Sequence, residues 1–586
     1  MKQEIINGGN ARYLGELERF KDGIPFGIVN KTKTDVGGTY VAANCGSNYI
    51  IVCPFKDLVD SIAADRNNRY EVFKCYGGVR EYQFRKYIKN NTTYKIAVTY
   101  DSLPKLIGWL GNTEGWKVLI DEYHLILEDM DFRYDAINGL MEEIQKFRHY
   151  SFLSATPIDL DFEIDFLKQL PHYKVQWNGV TKITPIRYKV TQLTKGLARF
   201  IQIFLDEGIS LPDINGNVSK VEELYIFINS VTSIKQIADT LKLNPNDVKI
   251  CCADRIRNNK LLGEYQIESV SSPNKKINFF TKKCFQGCNL FTNNGLIIVA
   301  SDAYRTQTLV DISTTIEQIA GRIRINDEYQ NIFRNVIVHL FSTNKNVMSD
   351  EEFEMLMQDK ENEADKLLSG WNKLDKEERQ TYIKRMNLDT ELVSIINGRM
   401  VYNNLKKQSF IYKQELRKIY RDGISIRDSF MQSEKFELTN QNEWEDFNIK
   451  LTKAMTVSYE QLIKDYLDSP SESYEQEYPE FPLIKRYLKE SEMNTLRWNR
   501  EKMLKAVEDK KQVNKALLAI YQPGFISNQD LKGKLKDEFG RLGIKLSPKA
   551  TLIENCTLYN VEKASRKIDG KTVSGYELGK MIFTFE

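Results

Sequence analysis

KVLIDEYH (117–124) is an apolar, β-branched run that stops on two adjacent carboxylates, Asp121 and Glu122, followed by Tyr123 and His124. A carboxylate at the end of a buried strand is costly to desolvate unless it has a task. Strands of this kind recur on either side. FGIV (26–29), YIIVCP (49–54), KIAVTY (95–100) and SFLSAT (151–156) are each short, apolar and closed by turn or small residues. Between them lie amphipathic stretches such as FKDLVDSIAAD (55–65) and YDAINGLMEEIQKF (134–147). Buried strands alternating with helices predict a parallel sheet covered on both faces.

The pattern repeats between about 181 and 345. ELYIFIN (223–229), VKICCA (248–253), KINFFT (276–281), GLIIVAS (295–301) and NVIVHLF (335–341) read as strands. SIKQIADTLK (233–242) and STTIEQIAGRIR (313–324) read as helices. The fold class expected is therefore α/β, with two tandem parallel-sheet lobes at 1–180 and 181–345. Residues 346–520 read as a helical domain, interrupted by the loop-like DSPSESYEQEYPEFP (468–482). Residues 521–586 read as a small basic α+β domain. Its helix 528–543 would end at Gly543, and a hairpin over 556–578 would turn at Asp569–Gly570.

Composition narrows the class. At 41% hydrophobic residues the chain can build packed cores. Its longest apolar runs fall far short of the about 20 residues that span a bilayer. The start, MKQEIINGGN, lacks a signal-peptide pattern, so the expectation is a soluble cytoplasmic protein without a membrane partner. The eight cysteines are scattered and read as buried, reduced thiols; Cys284-x3-Cys288 lacks a second pair of ligands for zinc. From Lys511 to Glu586 there are 13 Lys/Arg against 8 Asp/Glu, a net of +5, so the other 510 residues carry −2 of the chain's +3. That tail fits either a phosphate-backbone contact or an ordinary solvated surface.

In open α/β sheets ligands bind beyond the carboxyl ends of the strands. In a nucleotide hydrolase a first carboxylate there holds Mg²⁺ and a second orients the attacking water. Asp121 and Glu122 suit those roles; the bland alternative is a strand end running into a solvated loop. Ser154 and Thr156 end another strand and could bond the carboxylates across the sheet, or simply form a Ser/Thr turn. Gln318, Gly321, Arg322 and Arg324 are expected on one helix, where arginines can meet phosphate charge from the second lobe or merely decorate a surface.

The ordered combination Asp-Glu-x-His, Ser-Ala-Thr, Gln-x-x-Gly-Arg-x-Arg resembles the superfamily 2 helicases of DExH type over roughly residues 25–345. It looks closest to viral and phage members, those of large Bacteroides phages among them. The resemblance implies two RecA-like lobes, ATP and Mg²⁺ between them, and a nucleic-acid strand across their top, DNA favoured over RNA. Protein partners in replication or repair are a further expectation. It implies coupling roles for His124, Ser154 and Thr156, catalytic roles for Asp121, Glu122, Gln318, Arg322 and Arg324, and Mg²⁺ contacts from Asp121 and Thr39. Pro54 and Lys56 match motif Ia, Thr99, Tyr100 and Ser102 motif Ib, and Thr281 and Gly287 motif V, all candidate nucleic-acid contacts. LYIFINSVTS (224–233) resembles motif IV.

The phosphate loop departs from the family pattern. G-x-x-x-x-G-K-[ST] cradles phosphates with backbone amides and neutralises them with its lysine. Here the stretch is Lys31-Thr32-Lys33-Thr34-Asp35-Val36-Gly37-Gly38-Thr39, with Gly38 at the lysine position. Either Lys31 or Lys33 reaches the phosphates from the other end of the loop, or the lobe binds nucleotide poorly and serves as a scaffold. Asp35 would repel phosphate unless it faces away or sits near Mg²⁺.

Overall fold

Eight strands run parallel in register so that their carboxyl ends share one edge. In the computed structural model they are β1 (Glu4–Gly9), β2 (Gly27–Asn30), β3 (Asn48–Cys53), β4 (Val72–Cys75), β5 (Lys95–Thr99), β6 (Trp116–Asp121), β7 (His149–Ser154) and β8 (His172–Trp177), ordered β1-β8-β2-β7-β6-β3-β5-β4. The structure describes all residues except 1–2, 35, 160, 180–181, 286–287, 372, 376–378, 380–391, 397–398, 440–441, 444–448, 557–558 and 582–586. Two expected members, Asp35 and Gly287, therefore lie outside the described residues.

The strand residues alternate between two buried faces. Ile50, Val52, Val98, Val118, Ile120 and Phe152 pack into one layer. Tyr49, Ile51, Cys53, Ala97, Leu119 and Leu153 pack into the other. This is why the strands read as continuous apolar runs rather than alternating ones. Register sets the functional edge: Asn30 pairs with Ser154 on one side and Lys174 on the other, and Asp121 pairs with Leu153.

The second sheet is also parallel: β9 (Thr184–Lys189), β12 (Glu223–Phe227), β13 (Val248–Cys251), β14 (Ile277–Phe280), β15 (Gly295–Ser301), β16 (Val336–Phe341) and a late edge strand, β19 (Asn442–Glu443). Their order is β13-β14-β12-β15-β16-β9-β19. A hairpin, β10 (Ser210–Pro212) with β11 (Val218–Lys220), precedes β12. β1, β4, β8 and β9 were not read as strands from sequence; Pro185 and the polar or glycine content of EIINGG and TPIRYK masked them.

Residues beyond 346 carry the expected helices Asp350–Trp371, Asn404–Ile419 and Gly423–Gln432. They also carry a hairpin, β17 (Val393–Ile396) with β18 (Arg399–Tyr402), and return as β19 to the second sheet. The chain divides into two compact units, Met1–Ala253 with Glu264–Ala454, and Asp254–Gly263 with Met455–Glu586.

Within the second unit the stretch expected as a loop, 468–482, instead forms helix Glu472–Glu477 and leads into helix Phe481–Tyr487. Its aromatics explain the difference: Tyr478 stacks on Phe481 at 4.7 Å, and Tyr474 and Tyr466 pack on the same ring. The helix Asn528–Leu542 stops at Gly543 in the left-handed region, as expected. β20 (Gly524–Ser527), β21 (Tyr559–Ile568) and β22 (Lys571–Met581) form an antiparallel sheet, and the β21–β22 turn has Asp569 and Gly570 at positive φ. Among the described residues no helix is long and apolar enough to cross a membrane. All eight cysteines are free thiols, seven of them buried.

His339 in β16 offers a test of the second lobe's packing. It is fully buried, its Nε2 lies 3.2 Å from Ser301 Oγ, and burial beside Arg187 pushes its imidazole down to about 3. The unfolded chain binds that proton at about pH 6.5. Stability is therefore lost progressively as pH falls from about 6.5 to about 3, by about 2 kcal/mol at pH 5. Thermal melts at pH 7 and pH 5 should show a smaller acid-induced drop for His339→Gln than for the wild type; equal drops would contradict the assignment.

Candidate active site between the two lobes

The loop leaving β2 begins with Lys31, and its position is fixed from both sides. Its amide donates to the Ser154 carbonyl at 2.9 Å, and its carbonyl accepts from Trp177 Nε1 at 2.8 Å. Thr32 follows at φ +52°, with its hydroxyl donating to the Val175 carbonyl at 2.6 Å. The side chain of Lys31 is thereby turned inward. Its Nζ donates to Glu122 Oε1 at 3.1 Å and lies 3.9 Å from Asp121 Oδ1.

Glu122 sits one residue past β6 at φ +50°, in the left-handed region a side chain rarely adopts. The bend takes its carboxylate off the strand and into a cluster of partners. Glu122 Oε2 accepts from Ser154 Oγ at 3.3 Å and from Gln318 Nε2 at 3.2 Å, with His124 Nδ1 at 3.5 Å. His124 Nδ1 in turn lies 2.9 Å from Ser154 Oγ. Gln318 Nε2 also donates to Thr156 Oγ1 at 3.0 Å, and Gln318 Oε1 accepts from Arg322 Nη2 at 2.7 Å. Lys31, Glu122, Ser154 and Thr156 belong to the first lobe, Gln318 and Arg322 to the second. One hydrogen-bonded network therefore spans both.

Electrostatics divide the two carboxylates. Burial pushes Asp121 up, with Glu122 adding to the rise and Lys31 resisting it. Burial acts on Glu122 in the same sense, but Lys31, His124 and Arg322 together outweigh it and hold the carboxyl well below its ordinary range. Lys31 is raised: burial disfavours its charge, yet Glu122 and Asp121 overcome that. Asp121 Oδ1 is a buried acceptor without a hydrogen-bond partner. A hard oxygen ligand left open in this way suits Mg²⁺, which takes one or two carboxylates and completes its shell with phosphate and water. Among the described residues no cluster of three or more acidic, histidine or cysteine side chains would hold a metal unaided.

The remaining phosphate-loop residues divide. Lys33 is exposed, its Nζ 6.0 Å from the Trp177 ring, and has no contact with the carboxylates among those described. Thr34 packs on Gly321 of the second lobe, where a Cβ would come within 2.6 Å of its Oγ1. Gly37 precedes helix Gly38–Asn44 at φ +76°, and Thr39 occupies that helix's second position. At Gly38 a Cβ would lie 2.3 Å from Leu153 Cδ2. A side chain at the lysine position of a standard loop would thus have to displace Leu153 of β7.

The motif VI helix needs correction. It runs only from Ile312 to Ala320, five of those residues in a wide π-helical turn, and ends at Gly321. Arg322 and Arg324 lie in the extended segment beyond, which hydrogen-bonds Leu290 through the Arg322 carbonyl and the Arg324 amide. Arg322 turns back onto Gln318, while Arg324 Nε reaches Asn289 Oδ1 at 2.9 Å. The first arginine joins the network.

The expected strand-contacting residues are unevenly presented. Lys56 is exposed and stands 4.7 Å from the Tyr76 ring. Pro54, Thr99, Ser102 and Thr281 are buried, and the Thr281 hydroxyl faces the Cys251 carbonyl at 3.4 Å. Tyr100 is fully buried, its hydroxyl donating to the Asp121 carbonyl at 3.2 Å, so its side chain supports the carboxylate strand from within. Arg133 ties these loops together, donating to the Pro54 carbonyl and to Asp101, both at 2.6 Å. Lys282 and Lys283, unremarked in the sequence, bridge the lobes to Asp129 at 2.9 Å and Asp57 at 3.3 Å.

No family model matches this chain, and no curated protein does. Solved structures similar to it include the E. coli DExH-box NTPase HrpB, 13% identical over 96% of this chain and 62% of that one, TM-score 0.39. The DEAD-box helicase Mss116 bound to ssRNA and UDP-BeF is 13% identical over 56% and 68%, TM-score 0.35. S. cerevisiae Dbp5 bound to RNA and ADP BeF3 is 13% identical over 58% and 83%, TM-score 0.35. Likeness at this level carries no weight for activity.

Placing a lysine at position 38 should harm the protein. Gly38→Lys is expected to cost about 1–3 kcal/mol through overpacking against Leu153, lowering the melting temperature with no gain in nucleotide affinity. A Gly38→Lys protein that melts like the wild type and binds ATP more tightly would refute the packing account.

Proposed function

We propose that the chain is an ATP hydrolase of helicase or translocase type, acting on a nucleic-acid strand from the cleft between its two sheets. The observation that carries this reading is the interlobe network, in which Lys31 and Glu122 of one lobe meet Gln318 and Arg322 of the other. Phosphoryl transfer asks the protein chiefly for positioning and charge stabilisation, and these are the groups gathered here. Lys31 takes the place of the missing loop lysine and meets the β- and γ-phosphates. Arg322 stabilises the charge that develops on the transferring phosphoryl group.

Glu122, kept ionised by its neighbours, accepts a hydrogen bond from the attacking water and aims it. Its depressed basicity favours orientation over outright proton removal. Asp121 and Thr39 would hold Mg²⁺, which supplies neutralisation of the phosphate charge. Gln318 couples chemistry to motion: its bonds to Glu122 and Thr156 must break when the lobes part, so occupancy of the cleft biases lobe closure. His124 and Ser154 keep Glu122 oriented during that change.

On this reading residues 1–180 and 181–345 are the motor lobes, 346–520 a helical accessory region, and 521–586 a winged-helix-like contact for nucleic acid. We take DNA forward as the strand, with phage-type replication in the bacterial cytoplasm as the setting.

The test is ATP turnover with and without single- and double-stranded DNA and RNA. Wild type should be stimulated by a strand. Glu122→Gln should lose about 100-fold or more in turnover while still binding nucleotide. Lys31→Ala should lose a comparable factor and Lys33→Ala little. A wild type without strand-stimulated turnover would identify a non-hydrolysing scaffold instead. Equal turnover in the two lysine variants would remove Lys31 from its role, and turnover without strand displacement would indicate a remodelling motor.

A further inference from the structure

The interlobe cleft receives one more cation, from a part of the chain that no helicase motif covers. Lys435 follows helix Gly423–Gln432, and its backbone is pinned to the start of the second lobe. Its carbonyl accepts from the Ile183 amide at 2.8 Å, and the Glu437 amide returns a bond of 2.8 Å to the Ile183 carbonyl. A few residues on, Arg187 Nη2 donates to the Thr439 carbonyl at 2.6 Å, and β19 pairs with β9. The segment is thus held as an added edge of the second sheet.

From this edge the Lys435 side chain, 20% exposed, reaches an ion pair with Glu317, the residue before Gln318. Its other charged neighbours are Lys174 and Lys31. Lys174 pairs in register with Asn30, next to the phosphate loop. Lys435 therefore approaches the mouth of that loop from the second-lobe side, with the Glu317 carboxylate facing it and the Lys174 and Lys31 ammonium groups nearby.

We infer that Lys435 is a phosphate-binding residue of the nucleotide site, paired with Glu317 in this structure and transferred to the terminal phosphates of a bound nucleoside triphosphate. Three observations support the transfer. Gly38 occupies the standard lysine position, so the charge a lysine supplies there must come from elsewhere. Lys31, which meets the phosphates on the reading above, is shared with Glu122, so a second ammonium divides that task with it. Burial, with Lys174 and Lys31 beside it, pushes the Lys435 ammonium down to about 7, and a polyanion among these groups would favour its charged form. A polyphosphate placed among these three lysines would satisfy all of them.

This inference rests on the nucleotide reading above, and the experiment separates the two. Equilibrium binding of fluorescent ATP and AMP, with Mg²⁺, is measured on the full chain for wild type, Lys435→Met, Lys435→Arg and Glu317→Gln. Lys435→Met is expected to weaken ATP binding by about 10- to 100-fold, the worth of a charge-assisted hydrogen bond, while AMP binding stays within about twofold. Lys435→Arg should recover most of the loss, and Glu317→Gln should bind ATP at least as tightly as wild type. Unchanged ATP binding in Lys435→Met, or equal loss for ATP and AMP, would overturn the assignment and leave the nucleotide reading standing. A wild type that binds neither nucleotide would overturn both.

Discussion

The buried pair of Lys31 and Glu122 is the constraint around which the interlobe site is organised. An ammonium and a carboxylate taken out of water gain little net stability, but losing one partner leaves an uncompensated charge at a cost of about 3–5 kcal/mol. The surroundings are arranged to keep both partners in place. Trp177 and Ser154 clamp the Lys31 backbone, and the positive φ at Glu122 aims its carboxylate. Strain of this kind persists only where neighbours over-determine it. Here the neighbours are Ser154, Gln318 and Lys31, each bonded to the same carboxylate.

That carboxylate also joins the lobes. Gln318 bonds it from the second sheet, and Arg322 bonds Gln318. Gly321 lets the second lobe press against Thr34, where any larger residue would collide. A second bridge joins the lobes through Lys282 on Asp129 and Lys283 on Asp57. The closed cleft is therefore held by polar contacts at two places. Polar contacts exchange partners more readily than an apolar interface separates.

Much of this was legible in the sequence because its causes are local. Runs such as IIVC and VLID are buried on both faces, and their apolar continuity marks parallel strands. Asp121, Glu122, Ser154 and Thr156 sit at strand ends, and register alone brings them to one edge. What escaped depends on pairing at a distance. β8 reads as a polar mixture, HYKVQW, yet it supplies Lys174 and the Trp177 clamp. Lys435 lies in a stretch whose composition reads as helical, and only its backbone bonds to Ile183 reveal that it returns to the cleft. Arg322 was recognised but placed on a helix; the π-helical turn and the stop at Gly321 redirect it.

In the loop after β2 the expected motif is broken, yet an ammonium still stands beside the two carboxylates. The motif prescribes where along the chain a lysine stands, whereas the chemistry requires only an ammonium at the mouth of the strand bundle. Leu153 fills the space beside Gly38, so a side chain there would have to displace the Leu153 methyl. The same sheet offers another route, since the residue after β2 leaves the strand at the level of Glu122. From there Lys31 reaches both carboxylates without crossing the helix that follows. Packing crowds one position, and register opens another a few residues upstream.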